Sequence, residues 1–462
     1  MSERTPIKMK RLPVMRCVAV VTALALTAAA CGSDDDEADV ASTPAETSSA
    51  APETAASAPV ATEAGPGTST ADSGTVSESE STTAGESGDP LGEPNPATGE
   101  ELKLMYMWSG VSPAVDNSAD LAAMKAMVQY INEYGGGIGT DHRKLVLDDC
   151  PTNSDTAVAA ACGSTIVDGG YPMVLFNVIG EIEPWATPTL AAGIPIFNFS
   201  SSDASILGSP DLVFSMSNPA NGIAFFPAAL AKDVGAGKTT IDVIDVPAAS
   251  GPVQALAPMI FEQAGAGEVN TLPISPTAPD HSSDIQAELQ SFGPDYVHII
   301  GNPAYCSLSI RALRDADFKG TISGISNCID AAAKEQLGAD LEGVYISYSA
   351  GEDPADPDYA QFLSIIDKYD PSIVPNGTPV GAYVVLESFR RVMEDYSGDY
   401  TSADLASHIR NHGPLPHPTT GGTFQCNSQA LAILPIACTS AFAYSQLDAE
   451  GNPTTFTGAS AS

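Results

Sequence analysis

The sequence predicts an α/β protein built from two doubly wound lobes. Three observations carry that expectation. Leu102 to Trp108 and Leu145 to Leu147 are short continuous apolar runs, as expected of strands covered on both faces, and a helical stretch lies between them. Strand and helix signals then alternate almost to the end of the chain, the pattern of a parallel sheet wrapped by helices. The about 360 residues from Leu102 onward exceed one ordinary core, so two are expected.

The first unit shows how the residues specify it. Met124, Met127, Val128 and Ile131 recur at i, i+3, i+4 and i+7, one apolar helix face. Gly135, Gly136 and Gly137 end that helix and permit the left-handed angles of a turn into the next strand. Strands are predicted at 103–108, 144–148, 173–177, 194–198 and 212–216, with helices at 120–132, 155–167 and 184–192. A second lobe begins after a helix at 222–233. Its strands are predicted at 241–246, 268–272, 296–300, 320–323 and 344–348, its helices at 253–264, 284–292, 308–316 and 331–337. Helices at 359–369, 381–396 and 402–410 return to the first lobe, and late strands at 422–425, 430–434 and 439–444 cross back. The expected division is 102–223 with 349–415 as lobe 1, and 224–348 with 416–458 as lobe 2. Ligands of open α/β sheets bind beyond the carboxyl ends of the strands, here the loops 109–113, 178–183 and 199–203. Two lobes joined by repeated crossovers make a clamshell, and the cleft between them is a preferred ligand site.

The N-terminal segment has another composition. Arg4, Lys8, Lys10, Arg11 and Arg16 precede a mostly apolar, uncharged run from Cys17 to Ala30, too short to span a bilayer and typical of a secretory signal. Ala28-Ala29-Ala30-Cys31 resembles a bacterial lipobox, with Cys31 as the lipidated new N-terminus at residues 1–31. Ala28 stands where leucine is usual, which leaves ordinary signal-peptidase cleavage open. Residues 32–101 hold sixteen acids, no Lys or Arg and no aromatic residue, and are expected to form a disordered, self-repelling tether.

Charge and motifs exclude several functions. From Leu102 onward, 40 acidic and 14 basic residues give a net charge of −26, which argues against nucleic acid and reads as a solvated acidic surface. No GxSxG elbow, HExxH or comparable catalytic set is present, so no enzyme, cofactor or metal is expected. Gly235-Ala236-Gly237-Lys238-Thr239 lacks the first glycine of a phosphate loop and precedes a strand, so it reads as a turn. His408, His412 and His417 lack a fourth ligand and read as surface histidines. Glu181 and Glu183 flank a predicted cleft and read as helix-start or ligand contacts rather than as a catalytic pair.

The run "helix, INEYGG-I-G, strand, DD" at 131–149 resembles the first βαβ unit of type I periplasmic binding proteins of the branched-chain amino acid (Leu/Ile/Val) family. Further matches are Cys162, Val167-Asp168-Gly169-Gly170, Pro184, Gly193-Ile194-Pro195-Ile196, the serines 200–202, Ser250-Gly251 and Gly381-Ala382-Tyr383. The resemblance implies two Rossmann-like lobes on a multi-crossover hinge. It also implies an extracytoplasmic, membrane-anchored and monomeric solute-binding protein of an ABC importer, whose partners are a small molecule and the permease subunits. A sensing or regulatory module of the same fold is the alternative.

It also implies site residues. Ser200, Ser201 and Ser202 follow an apolar strand and occupy the loop that in the family receives an α-carboxylate, with Ser202 at the Thr/Ser position. In the preceding loop Ile179 and Gly180 stand where serines are usual and offer backbone groups. In the second lobe Ser250 and Asn302 replace aromatic residues. Ser326 or Asn327 falls where amino-acid binders carry an acid for the ammonium group. The ligand class therefore extends from amino-acid-like molecules to amides and organic acids. Trp108 and Trp185, the two tryptophans, fall at ligand-side loops, with Phe199 and Tyr305 nearby, where they would stack on a ligand or else fill the core.

Six cysteines follow Cys31, and fifteen pairings are formally possible. The sequential pairing Cys150–Cys162, Cys306–Cys328 and Cys426–Cys438 is favoured because local closures are geometrically easiest. The first pair also matches a disulfide found in parts of the family. The absence of a CxxC pair weighs against metal.

Overall fold

The computed structural model describes residues 89–112 and 116–460. The signal segment 1–31 with Cys31, and the tether up to residue 88, lie outside the described residues. Among the described residues no helix is long and apolar enough to cross a membrane.

The first unit runs β1 (Glu101–Trp108), α1 (Ser118–Glu133), β2 (Lys144–Pro151), α2 (Thr156–Gly169), β3 (Val174–Phe176), α3 (Glu183–Ala191), β4 (Ile196–Asn198), α4 (Ala204–Leu207) and β5 (Val213–Ser215). Its strands are parallel in the order β2-β1-β3-β4-β5. A π-helical turn, Asn221–Phe225, opens the second unit: α5 (Phe226–Val234), β6 (Lys238–Ile244), α6 (Pro247–Ala264), β7 (Glu268–Ile274), α7 (Ser282–Ser291), β8 (Tyr296–Ile300), α8 (Pro303–Asp315), β9 (Thr321–Ile325), α9 (Ala331–Leu337) and β10 (Tyr345–Tyr348). The parallel order β7-β6-β8-β9-β10 repeats that of the first sheet. Gly235 is the left-handed cap of α5 and Lys238 opens β6, so the glycine-lysine run is a turn.

The chain then returns. The helices α10 (Pro357–Tyr369), α11 (Thr378–Met393) and α12 (Ser402–Asn411) cover the first sheet, burying Phe362, Tyr383, Val384, Phe389 and Ile409 among Leu104, Tyr106, Met124 and Phe197. Short strands β11 (Leu415–Pro416) and β12 (Thr423–Phe424) pair with each other. The strand β13 (Ala441–Leu447) lies antiparallel to β10, and β14 (Pro453–Ser460) antiparallel to β13, which extends the second sheet to seven strands. All three disulfides form in the sequential pairing.

Several expectations need correction. Residues 89–100 are not part of a disordered tether. Backbone bonds from Asn95 and Ala97 to Glu133 and Asn132, and from Thr98 and Gly99 to His142, lay them on the first unit. Leu91 adds an apolar contact to its core. Ala430 to Leu434 is not a strand. Its backbone closes local turns, with Leu434 N–H bonded to Leu431 and Ala437 N–H to Leu434, while Leu431 and Ile436 anchor in different cores. The 416–440 segment does not belong to lobe 2 alone, because Phe424, Cys426 and Cys438 pack in the first core. The edge strand β14 went unseen because its residues are mostly exposed and show no apolar alternation.

The crossovers touch one another. The Gly351 N–H donates to Thr419 Oγ1 at 3.0 Å, and a Cβ on Gly351 would stand 1.9 Å from the Thr419 carbonyl oxygen. His417 is buried, not a surface residue. Its ring nitrogens lie 2.7 Å from the Met216 and Pro418 carbonyls, and Thr420 Oγ1 lies 2.8 Å from Nδ1. The chain leaving β5 is thereby tied to the last crossover. His408 sits on the Val392 carbonyl, and no set of three metal-ligating residues occurs among the described residues.

Candidate functional site

Each sheet reverses its strand order beside its first strand, which opens a crevice at the carboxyl edge. In the first lobe the loops after β3 and β4 line a cavity of about 520 Å³, formed by Val178 to Ile182, Ser200 to Ala204 and Pro219. Ile179, Gly180, Ser200, Ser201 and Ser202 are thus brought together. Ser201 Oγ accepts the Asp203 N–H at 3.1 Å, while Ser202 is exposed. The anticipated helix N-terminus is weak. The helix α4 has four residues, and Asp203 Oδ1 already accepts the Ser205 N–H at 2.9 Å. Glu181 and Asp203 line this cavity, and no Lys, Arg or His does.

The second-lobe cavity, about 740 Å³, runs from the loops after β8 and β9 along Ile346 of β10 to Gly451, in the turn between β13 and β14, and Pro453, which opens β14. Asn302, Ser326, Asn327, Asp330, Lys334, Tyr348 and Glu352 line it, with Asn376 and Gly377 at the foot of α11. Asn302 caps α8 by accepting the Tyr305 N–H at 3.0 Å. Asp330 caps α9 by accepting the Ala333 N–H at 2.7 Å. The Cys306–Cys328 bond joins the first turns of α8 to the 3-10 turn opened by Ser326, so one covalent link fixes both candidate residues.

Three candidates fall elsewhere. Ser250 is buried in the first turns of α6, and its Oγ lies 3.1 Å from both Asp245 Oδ1 and the Val246 carbonyl. It lines neither cavity. Trp108 is buried in the first core and its Nε1–H donates to Asp149 Oδ2 at 3.0 Å. Trp185 is fully buried on α3, edge-on to Phe176 at 5.6 Å, in a core with Cys162 and Ile166. The two tryptophans therefore do not converge on either cavity. Phe199 and Tyr305 are likewise buried, and the Tyr305 hydroxyl donates to Asp242 at 2.5 Å. We expect Trp185→Phe to cost about 1–2 kcal/mol in urea unfolding, as lost ring volume outweighs release of an indole N–H that has no acceptor among the described residues. Ligand affinity is expected to stay unchanged, and a fall would return Trp185 to the site.

Beneath the first cavity lies a polar cluster that the sequence did not signal. The Tyr106 hydroxyl donates to Asp120 Oδ2 at 2.5 Å, and Asn177 Nδ2 donates to Asp120 Oδ1 at 2.8 Å and to the Thr378 carbonyl at 2.6 Å. Burial pushes the Asp120 carboxyl up to about 6, against the opposing effect of these two hydrogen bonds. A Cβ on Gly381 would stand 2.3 Å from Asn177 Oδ1, so the Gly-Ala-Tyr signature marks a close approach of α11 to the end of β3.

A family model described as "Periplasmic binding protein" matches residues 105–438, and the chain belongs to that family. The fold is the type I arrangement of branched-chain amino acid substrate-binding proteins. The substrate-binding protein of the branched-chain amino acid transporter of Streptococcus pneumoniae, in complex with isoleucine, is 16% identical, with a TM-score of 0.56 over 78% of this chain and 100% of its own. A solute-binding protein of an R. palustris ABC transporter, in complex with 4-hydroxybenzoate, is 15% identical, with a TM-score of 0.58 over 78% of this chain and 97% of its own. An ABC transporter substrate-binding protein from Sphaerobacter thermophilus is 13% identical, with a TM-score of 0.61 over 78% of this chain and 97% of its own. No curated protein sequence matches the chain.

Proposed function

We propose that this protein is the extracytoplasmic solute-binding component of an ABC importer, anchored through Cys31, which captures a small polar molecule by closing two lobes around it. The supporting observation is that each of two sheets with the same strand order has a cavity reaching the loops at its carboxyl edge, and that the crossovers joining the sheets touch one another. A ligand that contacts both walls binds the closed arrangement more tightly, and that difference in affinity drives closure. The closed surface is what the permease subunits read, and no covalent chemistry is required. Proteins of this fold hold ligands as unlike as isoleucine and 4-hydroxybenzoate, so amino-acid-like molecules, amides and organic acids are all within the class.

The test is a thermal-shift screen of the mature chain against these classes, because a ligand of the folded state raises the unfolding temperature. Ser202→Ala is expected to weaken the best ligand by about 1 kcal/mol, roughly fivefold, with the unliganded melting temperature unchanged. Equal affinity in the variant would remove the Ser202 hydroxyl from the site. A screen without any shift would favour the sensing or structural uses of the same fold.

A further inference from the structure

We propose that Glu352 is the charge-recognising group of the second-lobe cavity and receives a cationic nitrogen of the ligand, an assignment that rests on the solute-binding reading above. Glu352 lies in the crossover between β10 and α10, on the cavity wall, half-buried beside Tyr348. Its Oε1 accepts the Gly377 N–H at 3.0 Å, at the foot of α11. Its second oxygen accepts no hydrogen bond from a described residue. Burial is the largest influence on this carboxyl and raises its pKa, with Lys334 pulling the other way. A partly buried carboxylate with a single N–H partner keeps acceptor capacity on its second oxygen, and a cation with several donors is the partner that uses it.

The other charged groups of the wall differ from it. Asp330, whose Oδ1 caps α9, is exposed to water, and Lys334, the one basic residue lining this cavity, donates to Asn452 Oδ1 at 3.1 Å. Lys334 forms no ion pair with Glu352. Asn302, Ser326 and Asn327 add neutral polar side chains around the same space. The first-lobe cavity adds Glu181 and Asp203 without a base, so the combined walls favour a ligand that is neutral or positive overall. Because Glu352 belongs to a crossover and already holds α11 through Gly377, a cation docked on it ties the second-lobe wall to the first lobe.

The test uses matched probes on the mature wild-type chain by calorimetric titration: isoleucine against 3-methylpentanoate, and putrescine against 1,4-butanediol. At least one amine is expected to bind about tenfold or more tightly than its amine-free partner. Glu352→Gln keeps the acceptor for Gly377 and removes the charge. It is expected to weaken that amine about 10- to 100-fold, leave the amine-free partner unchanged and keep the unliganded melting temperature. Equal binding of both members of each pair overturns the assignment while leaving the solute-binding reading intact. So does an unchanged amine affinity in Glu352→Gln. The wild-type comparison keeps the proposal testable if the variant fails to fold. If no probe of either kind binds, the assignment of Glu352 to a cationic nitrogen is overturned, while the solute-binding reading is decided by the wider thermal-shift screen.

Discussion

Reducing the three disulfides is expected to remove roughly 9 kcal/mol of stability, of the order of the whole free energy of folding of a typical domain. The closed loops span sequence separations of 12, 22 and 12 residues. Loop-closure entropy assigns each about 3 kcal/mol, because the cross-link restricts the unfolded chain more than the folded one. The bonds sit in different places, β2 to α2, α8 to the turn after β9, and the last crossover, so their contributions should add. Urea unfolding with and without excess dithiothreitol measures the sum. An unchanged midpoint on full reduction would falsify it. The Cys306–Cys328 pair should show a second effect. Its replacement by alanines frees the first turn of α8 from the Ser326 turn, so ligand affinity should fall along with stability. Replacing Cys426 and Cys438 should lower stability by a similar amount while sparing the second-lobe cavity, where neither residue lies.

The strand-helix alternation was legible because buried parallel strands and amphipathic helices leave distinct apolar periods. Leu102 to Trp108 and Met124 to Ile131 are clear cases. The cysteine pairing was legible because each pair closes a short loop. The cavity walls were partly legible. Ser200 to Ser202, named because they follow a strand, and Asn302, named from the family resemblance, line the two cavities. Trp185, named from a predicted ligand-side loop, and Ser250, named from the family resemblance, line neither cavity, since neither signal says which way a side chain points. Trp185 turns into the core between Cys162 and Phe176, and Ser250 turns back onto its own helix. Glu352 gave no signal at all. It stands in the acid-rich run 352–358 with Asp353, Asp356 and Asp358, and only the fold separates the roles. Asp356 caps α10, Asp358 pairs with Arg391, and Glu352 faces the cavity. Residues 89–100 were misread because composition reports apolar content, and this segment is held chiefly by backbone hydrogen bonds.

Asp120→Ala is expected to cost about 4 kcal/mol, because it leaves two buried donors, the Tyr106 hydroxyl and the Asn177 amide, without their acceptor at about 1–3 kcal/mol each. The cost should reach the ligand as well. Asn177 immediately precedes the loop 178–182 that lines the first-lobe cavity, and it is held between Asp120 on α1 and Thr378 on α11. Loss of one anchor loosens that loop, so affinity should fall although Asp120 itself lines no part of the cavity. The charge state supplies an independent check. The folded pKa of Asp120 is about 6, above its ordinary value of 3.8. The folded chain therefore holds this proton more tightly than the unfolded chain. The stabilisation from that proton is fully present below the unfolded pKa of 3.8 and is lost as pH rises through about 6. Asp120→Asn removes the titration while keeping the shape. The deficit of this variant relative to wild type should then be greater at pH about 4.5 than at pH about 7.5, by about 2 kcal/mol. Urea melts of both proteins at the two pH values give that difference directly, with every other titrating group cancelling between them. A deficit that does not change with pH would mean that Asp120 is ionised as readily in the fold as out of it, and that the two hydrogen bonds offset its burial completely.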